Sequence, residues 1–161
     1  LAGGVAYGAG AELDDPDGRI VMSRALADRA IYPAVDPLES GSPILETGAV
    51  GEAHVQAARQ VREALRRERE LQEEIEQGGP DHLSETDRVT VDRARRMQQF
   101  FTQPFFGAQL YTAIPGAYVM VGETVRGFGA LAKGRVDDLP EEAFRFVGRL
   151  EQAVEKANGA A

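Results

Sequence analysis

GEAHVQAARQVREALRRERELQEEIEQ, residues 51–77, is the clearest helical pattern in this sequence of 161 residues. One face of the helix that it predicts is apolar apart from a single acid, and the opposite face is densely charged. The residues near the apolar face are Val61, Leu65, Glu68, Leu71 and Ile75. Gly78, Gly79 and Pro80 follow directly, and glycine and proline are typical of a helix end. We therefore expect one long amphipathic helix that packs against a neighbour.

A second helix is predicted to begin at Ser84. Serine followed three residues later by an acid, here Asp87, is typical of a capping box at a helix N-terminus. The helix is expected to run to about Thr102, with an apolar stripe formed by Val89 or Thr90, Ala94, Met97, Phe100 and Phe101. Two long helices joined by a short turn form an antiparallel helical hairpin.

The N-terminal part of the sequence is less regular. Residues 1–16 are rich in glycine and alanine, and we expect a flexible terminus there. Arg19 to Met22 predicts one short strand, and Ser23 is a suitable N-cap for a short helix that ends before Pro33. Residues 32–48 contain several prolines and glycines, which favour an irregular, extended connection.

The C-terminal part predicts two further helices. The third carries Val121, Val125, Phe128 and Leu131 on its apolar face. Pro140 with Glu141 and Glu142 is a favourable first turn for the fourth. Its core face would be Ala143, Val147, Leu150, Val154 and Ala157. The predicted fold class is mainly α: a helical bundle or superhelix over residues 17–161, with a long helical hairpin and a short N-terminal strand or loop.

The composition excludes several classes of protein. The formal net charge is −8, so nucleic acid and anionic lipid are not expected partners. The sequence has no cysteine, which excludes disulfides, thiolate metal sites and a cysteine nucleophile. No apolar run approaches bilayer-spanning length, and the start lacks the pattern of a signal peptide. Because the first residue is leucine, we expect a trimmed or fragmentary chain.

Catalytic motifs are missing from the sequence. A phosphate-binding loop needs glycines followed by Lys and Ser or Thr, and neither Lys133 nor Lys156 has that context. His54 and His82 lack the spacing of a zinc site or of a catalytic triad. The acidic pairs in the sequence are typical of solvated helix faces and first turns. The isolated chain is therefore predicted to have no catalytic activity in phosphoryl transfer.

Aromatic residues form the remaining signal. Tyr32 lies in IYPAVDP, and Phe105, Phe106 and Tyr111 lie in QPFFGAQLYT. Aromatic faces next to a small alanine could form a stacking slot for a planar base. Aromatic residues at helical spacing also occur in ordinary cores, and the residues alone leave both interpretations open.

An ordered set of segments resembles the C-terminal helical domain of the catalytic β subunit of rotary F-type ATP synthases. The segments are IYPAVDPLES, the VGE at Val50–Glu52, SETDRVTVDRARRMQQFFTQPFF, IPGAYV, ETVRGF, DDLPEEAF and LEQAVEKA. They occur in the family's order, almost without gaps, over residues 17–158. The resemblance implies a mainly helical domain of an enzyme complex that makes ATP.

The resemblance also implies a nucleotide-binding role. Tyr32 matches the family's tyrosine that stacks on the adenine of bound ATP or ADP. Phe105, Ala108 and Tyr111 match the remaining adenine-pocket residues, with Tyr111 at a position where the family usually has phenylalanine. The nucleotide-binding domain, which carries the phosphate-binding loop and the magnesium-site acids, has no counterpart in this sequence.

The family's acidic loop at the hairpin tip contacts the central stalk. The matching residues here are Asp81, His82, Leu83, Ser84, Glu85, Thr86 and Asp87. His82 and Thr86 replace two acids of the family pattern. Because glycines and closely spaced glutamates precede this loop, we expect the segment from about Glu74 to Leu83 to fray.

The resemblance implies an α subunit and a central-stalk subunit as partners, without direct insertion into a membrane. It also implies a peripheral position on the cytoplasmic face of a bacterial plasma membrane, as part of the complex. One alternative is a diverged, stand-alone helical protein-interaction module without nucleotide function. A gene fragment with no role of its own is another.

Overall fold

The computed structural model describes residues 18–79 and 82–159, with the side chain of Glu73 left out. This part of the chain is built from α-helices and short 3₁₀ turns. The α-helices are α1 (Arg24–Asp28), α2 (Glu52–Gly78), α3 (Glu85–Phe100), α4 (Gln109–Thr112), α5 (Val121–Ala132) and α6 (Leu150–Gly159). The 3₁₀ turns are Pro43–Leu45, Phe106–Ala108 and Glu141–Phe144. The predicted mainly α fold is confirmed. The terminus predicted as flexible, residues 1–16, lies outside the described residues.

Helices α2 and α3 form the predicted hairpin. Helix α2 ends at Gly78 and is capped by Gly79, which has a φ of 75° that suits glycine. The N–H of Gly79 donates to the carbonyl of Ile75 at 2.9 Å. Helix α3 begins after Ser84, whose hydroxyl accepts a hydrogen bond from the N–H of Asp87 at 3.1 Å. Both helix ends therefore lie where the sequence places them.

The buried stripe of α3 differs at one position from the prediction. Val91, Ala94, Met97 and Phe100 are its buried residues. Val89 and Thr90 are only partly buried, so neither is the core residue of this turn. Val91 takes the position because it lies one turn before Ala94 on the face that meets α2.

The main core lies at the base of the hairpin. Helix α5 packs against α2 and α3 there, the turn at Glu141–Phe144 packs against α3, and α6 packs against that turn. The buried residues are Val61, Leu65, Ala94, Met97, Phe100, Phe128, Leu131, Val136, Ala143, Phe144, Val147 and Ala153. The rings of Phe100 and Phe128 lie 5.0 Å apart, and those of Phe101 and Phe128 lie 4.5 Å apart. A smaller cluster near the tip contains Leu71, Leu83 and Val91.

The fourth predicted helix is wrong as a single element. A 3₁₀ turn ends at Phe144, and α6 starts only at Leu150. Between them Phe146 has a φ of 56°, in the left-handed region, which a continuous right-handed helix excludes. The side chain of Gln152 then accepts hydrogen bonds from Gly148 and Arg149 N–H, both at 2.9 Å, so α6 has its own cap.

The N-terminal segment pairs with the connection that follows α1. Isolated antiparallel bridges join Arg19 with Gly41 and Met22 with Val35. The short strand predicted at Arg19 to Met22 is therefore reduced to single bridges among the described residues. Within residues 18–79 and 82–159, no helix is long and apolar enough to cross a membrane.

A polar chain crosses from the N-terminal segment to both hairpin helices. Glu68 is only 5% exposed, and its carboxylate accepts a hydrogen bond from Gln98 at 3.1 Å. The Gln98 carbonyl accepts in turn from the guanidinium of Arg29 at 2.7 Å. The neutral amide thus relays between a cation and a buried carboxylate, which explains how an acid is tolerated on the apolar face of α2.

Candidate functional site

A cavity of about 260 Å³ brings together the two motifs that carry the aromatic signal. Tyr32 comes from IYPAVDP, and Phe105 and Ala108 come from the QPFF region. The other lining residues are Gln103, Pro104, Thr112, Ile114 and Phe146. We call this cavity the aromatic slot. Three of the four residues proposed for adenine lie in its lining, and their segments are distant in sequence.

Tyr32 is held between two buried neighbours. Ile31 and Ala34 are 5% and 4% exposed, so the backbone on either side is fixed in the core. The following Asp36 accepts hydrogen bonds from the N–H groups of Leu38 and Glu39, at 2.9 and 3.2 Å. Its carboxylate also accepts from the guanidinium of Arg69 at 2.9 Å. These contacts tie the proline-rich segment to α2 and leave the Tyr32 ring free to face the slot.

Phe105 and Ala108 are placed by the 3₁₀ turn Phe106–Ala108. The N–H of Ala108 donates to the carbonyl of Phe105 at 3.0 Å. The segment is fixed at its base, because Ala117 N–H donates to the carbonyl of Pro104 at 2.9 Å. The side-chain amide of Gln103 also donates to the carbonyl of Ala117 at 2.9 Å. The loop is therefore closed by hydrogen bonds where it meets the slot.

Phe146 is a slot residue that sequence reasoning missed. Its N–H donates to the hydroxyl of Thr102 at 2.9 Å, and Thr102 itself has no exposed surface. The guanidinium of Arg145 lies 4.9 Å from the centroid of the Phe146 ring. The break between the 3₁₀ turn and α6 thus turns this ring into the slot. No local pattern predicts a positive φ at a phenylalanine, so the signal was not available from the sequence.

Tyr111 lies outside the lining of the slot. It is on the short helix α4, and 89% of its surface is exposed. Its neighbour Thr112 does line the slot. Tyr111 therefore lies next to the slot, at its rim, and not in its lining.

The slot can bind a flat apolar group but offers little chemistry. Tyr32 and Phe105 are 48% and 45% exposed, so each presents a ring face to solvent. Aromatic faces at such positions favour stacking of planar ligands. The lining has no Asp, Glu, His, Lys or Arg, so it supplies neither an acid–base group nor a phosphate contact. Among the described residues, no group of His, Asp or Glu side chains could hold a metal ion.

The residues matched to the stalk-contacting loop lie at the hairpin tip. Asp81 is outside the described residues. Leu83 is buried against Leu71 and Val91, while His82 is exposed. A Cβ added at Gly78 would lie 2.9 Å from the His82 ring, so this glycine permits the close approach of the imidazole.

Most of the loop's other polar groups face neighbours within the hairpin. Ser84 donates to Asp87 at 2.9 Å, and Asp87 accepts from the guanidinium of Arg67 at 2.9 Å. These hydrogen bonds, from Arg67 first and Ser84 second, lower the pKa of Asp87. Glu85 lies 3.8 Å from Arg88. Thr86 accepts a hydrogen bond from the hydroxyl of Thr90 through its backbone carbonyl, at 2.9 Å. The tip is thus partly neutralised by its own bases.

The comparison with known families matches the main body of this structure. Residues 45–140, more than half of the chain, match the family described as the C-terminal domain of V and A type ATP synthase. The matched range contains the whole hairpin, α4 and α5, together with Phe105, Ala108 and Tyr111, and it begins after Tyr32. The match confirms an ATP synthase C-terminal domain, which implies association with other ATP synthase subunits. The chain therefore belongs to the family of C-terminal domains of V and A type ATP synthases.

Proposed function

We propose that this chain acts as the C-terminal part of a catalytic β subunit of the F-type kind, where it supplies the adenine side of a nucleotide site. The observation that carries the proposal is the aromatic slot, in which Tyr32, Phe105 and Ala108 share one lining. Tyr111 belongs to the proposed site as a rim residue, placed to contact a base that protrudes from the slot. The hairpin tip supplies the contact with the central stalk.

The slot supports adenine binding through stacking and apolar burial. Its lining has no cation, so ATP or ADP would gain nothing from phosphate contacts here. Magnesium and the phosphates would be held by the nucleotide-binding domain of the same subunit. Because only the base contributes, adenosine should bind the isolated chain no more tightly than about 1 mM. The isolated chain hydrolyses no ATP under this proposal, since the groups that stabilise phosphoryl transfer are not in its sequence.

The proposed partners are an α subunit and a central-stalk subunit. An F-type complex of this kind would place the chain on the cytoplasmic face of a bacterial plasma membrane, as a peripheral component. Residues 82–87 would meet the stalk, together with Asp81.

The test is a titration of the chain with adenosine, in which binding is monitored by the NMR chemical shifts of backbone amides. Adenosine should shift the amides around the slot, and Tyr32→Ala should abolish those shifts. Tyr111→Ala should weaken them less, because this ring is at the rim. Tyr118→Ala is the matched control: Tyr118 is 78% exposed and lies outside the slot, so its loss should leave the titration unchanged.

Two outcomes would overturn the adenine role. The first is a titration in which Tyr32→Ala and Tyr118→Ala behave alike. The second is saturable adenosine binding whose shifts map away from the slot.

A second candidate function is a helical interaction module without nucleotide. It is favoured by large apolar side chains that are exposed within one segment of the chain, residues 106–121: Phe106, Leu110, Tyr111, Tyr118, Met120 and Val121. Contiguous exposed apolar side chains mark surfaces that meet another protein. If adenosine does not bind but this surface is protected from hydrogen exchange in the assembled complex, the interaction role is the better description.

A further inference from the structure

A groove between α2 and α5 has a regular construction that neither the slot nor the stalk contact uses. Helix α2 contributes Ala53, Gln56, Ala57 and Gln60, and helix α5 contributes Val125, Arg126, Gly129 and Ala130, with Lys133 directly after it. Arg135, just after α5, completes the lining. On both helices the spacing is that of one face, with small residues at the middle positions. We call this cavity, of about 260 Å³, the basic groove.

The small residues make the floor and the long polar side chains make the rim. Ala57 is buried, and Gly129 and Ala130 are partly buried, so the two helices approach closely there. Gln60, Arg126 and Lys133 are exposed above them. The groove is therefore an open trough with side chains that can close over a ligand.

The cations of the groove lack partners of their own. In the described ranges 18–79 and 82–159, Arg126, Lys133 and Arg135 make no side-chain hydrogen bond and no ion pair. Other arginines are engaged: Arg93 donates to both carboxylate oxygens of Asp137, at 3.0 and 2.6 Å, and Arg69 donates to Asp36 at 2.9 Å. The lining of the groove contains no carboxylate.

This arrangement runs against the charge of the whole chain. The formal net charge is −8, yet one cavity is lined by three cations and no acid. Glu52, which precedes Ala53 in the chain, is not part of the lining, and its carboxylate accepts a hydrogen bond from the Gln56 amide at 2.9 Å. The three cations line one cavity that contains no counter-charge, and a bound anion would reduce the repulsion between them.

We propose that the basic groove binds a multivalent oxyanion, as part of a phosphorylated small molecule. Guanidinium groups donate paired hydrogen bonds to phosphate oxygens, and an ammonium adds a compact charge. The Gln60 amide can donate to the same oxygens. The groove shares no residue with the aromatic slot, so this site is independent of adenine binding.

The test is isothermal titration of the whole chain with inorganic diphosphate at low and at moderate salt. The wild-type chain should bind one diphosphate. The triple variant Arg126→Gln/Lys133→Gln/Arg135→Gln should bind at least tenfold more weakly. The matched control Arg24→Gln/Arg59→Gln/Arg66→Gln removes the same charge outside the groove, and its affinity should stay within twofold of wild type. Circular dichroism of each variant checks that the helices are retained.

Three outcomes would overturn the proposal. One is the lack of saturable binding to the wild-type chain at low salt. Another is an equal loss of affinity in both triple variants, which would show that only the net charge of the molecule matters. The third comes from vesicles that contain phosphatidic acid: groove-dependent binding to these vesicles without binding of free diphosphate would identify a lipid headgroup as the ligand.

Discussion

The base and the tip of the hairpin are built from the same two helices but are stabilised differently. At the base, α5 packs against both hairpin helices, and the turn at Glu141–Phe144, backed by α6, packs against α3. Leu131, Ala94 and Phe144 have no exposed surface there. At the tip, Leu71 of α2 and Val91 of α3 pack together with Leu83 of the connection between the two helices. Helix α2 is therefore covered by more neighbours at the base of the hairpin than at the tip.

Exposed polar contacts accompany the small apolar cluster at the tip. Arg67 bonds both Asp87 and Glu70, at 2.9 and 3.4 Å, and these side chains are partly or largely exposed. Exposed ion pairs contribute little to stability because water screens them. The comparison teaches that stability should fall along α2 from base to tip, although the hydrogen bonds of the helix backbone are continuous.

The largest expected effect is a loss of unfolding free energy when one buried leucine is replaced by alanine at the base or at the tip of the hairpin. Leu131→Ala at the base and Leu71→Ala at the tip each remove a side chain that is at most 1% exposed. We expect Leu131→Ala to lower the free energy of unfolding by about 4 kcal/mol and Leu71→Ala by about 2 kcal/mol, because the tip can collapse onto the smaller residue. Urea denaturation followed by circular dichroism measures both values.

The exposed Val154 gives a control for this pair. Val154→Ala, at a residue that is 37% exposed, should change the unfolding free energy by less than about 1 kcal/mol. Equal losses for Leu131→Ala and Leu71→Ala would show that the tip is packed as rigidly as the base.

Hydrogen exchange tests the predicted fraying of the tip without any mutation. Amides at 74–78 should exchange at least tenfold faster than those at 61–69, since their helix is covered on fewer sides. Amides at 94–100, on the opposite helix at the base, serve as the protected reference. Protection at 74–78 that matches 61–69 would remove the difference between base and tip and would favour a force-bearing hairpin.

The smallest expected effect is a pH dependence confined to the tip. Hydrogen bonds from Arg67 and Ser84 lower the pKa of Asp87, so their stabilising effect is complete above about pH 4, the ordinary value for aspartate. It is lost as the pH falls through the lowered pKa and Asp87 takes up a proton.

Arg67→Gln should raise the pKa of Asp87, measured by NMR titration of its carboxyl carbon, and should make the chain less stable near neutral pH. Arg66→Gln, on the same helix and outside this pair, is the control and should leave that titration in place. A pKa of Asp87 that is the same in Arg67→Gln and wild type would show that the pair does not form in solution.

The hairpin could be predicted because its signals are local. Apolar spacing, the glycines after residue 77 and the Ser84 cap each act within one or two helical turns, and the structure confirms them. The mainly α class follows from the same patterns. The family match over residues 45–140 confirms the coarser identity as an ATP synthase C-terminal domain, while the F-type β assignment stays a proposal.

The errors lie where local patterns compete with distant contacts. The residues after Pro140 have helical spacing, but Thr102 and Gln152 supply hydrogen bonds that stabilise a break between Phe144 and Leu150. Tyr111 follows the adenine pattern in sequence, yet α4 places it at the rim of the slot. Neither the break before α6 nor the position of Tyr111 can be predicted from residues that are close in the sequence.

The sequence by itself determined the two hairpin helices with the turn between them, the apolar face of α5 and the lack of a phosphate-binding loop, because these depend on residue type and short spacing. Tertiary structure alone decided which rings share the slot and that Phe146 is among them. It also decided that Arg126, Lys133 and Arg135 line one cavity with the glutamine side chains of α2. The physical reason is that helix formation is driven by contacts within a turn, whereas a cavity is formed by side chains from segments that meet only after the core has packed.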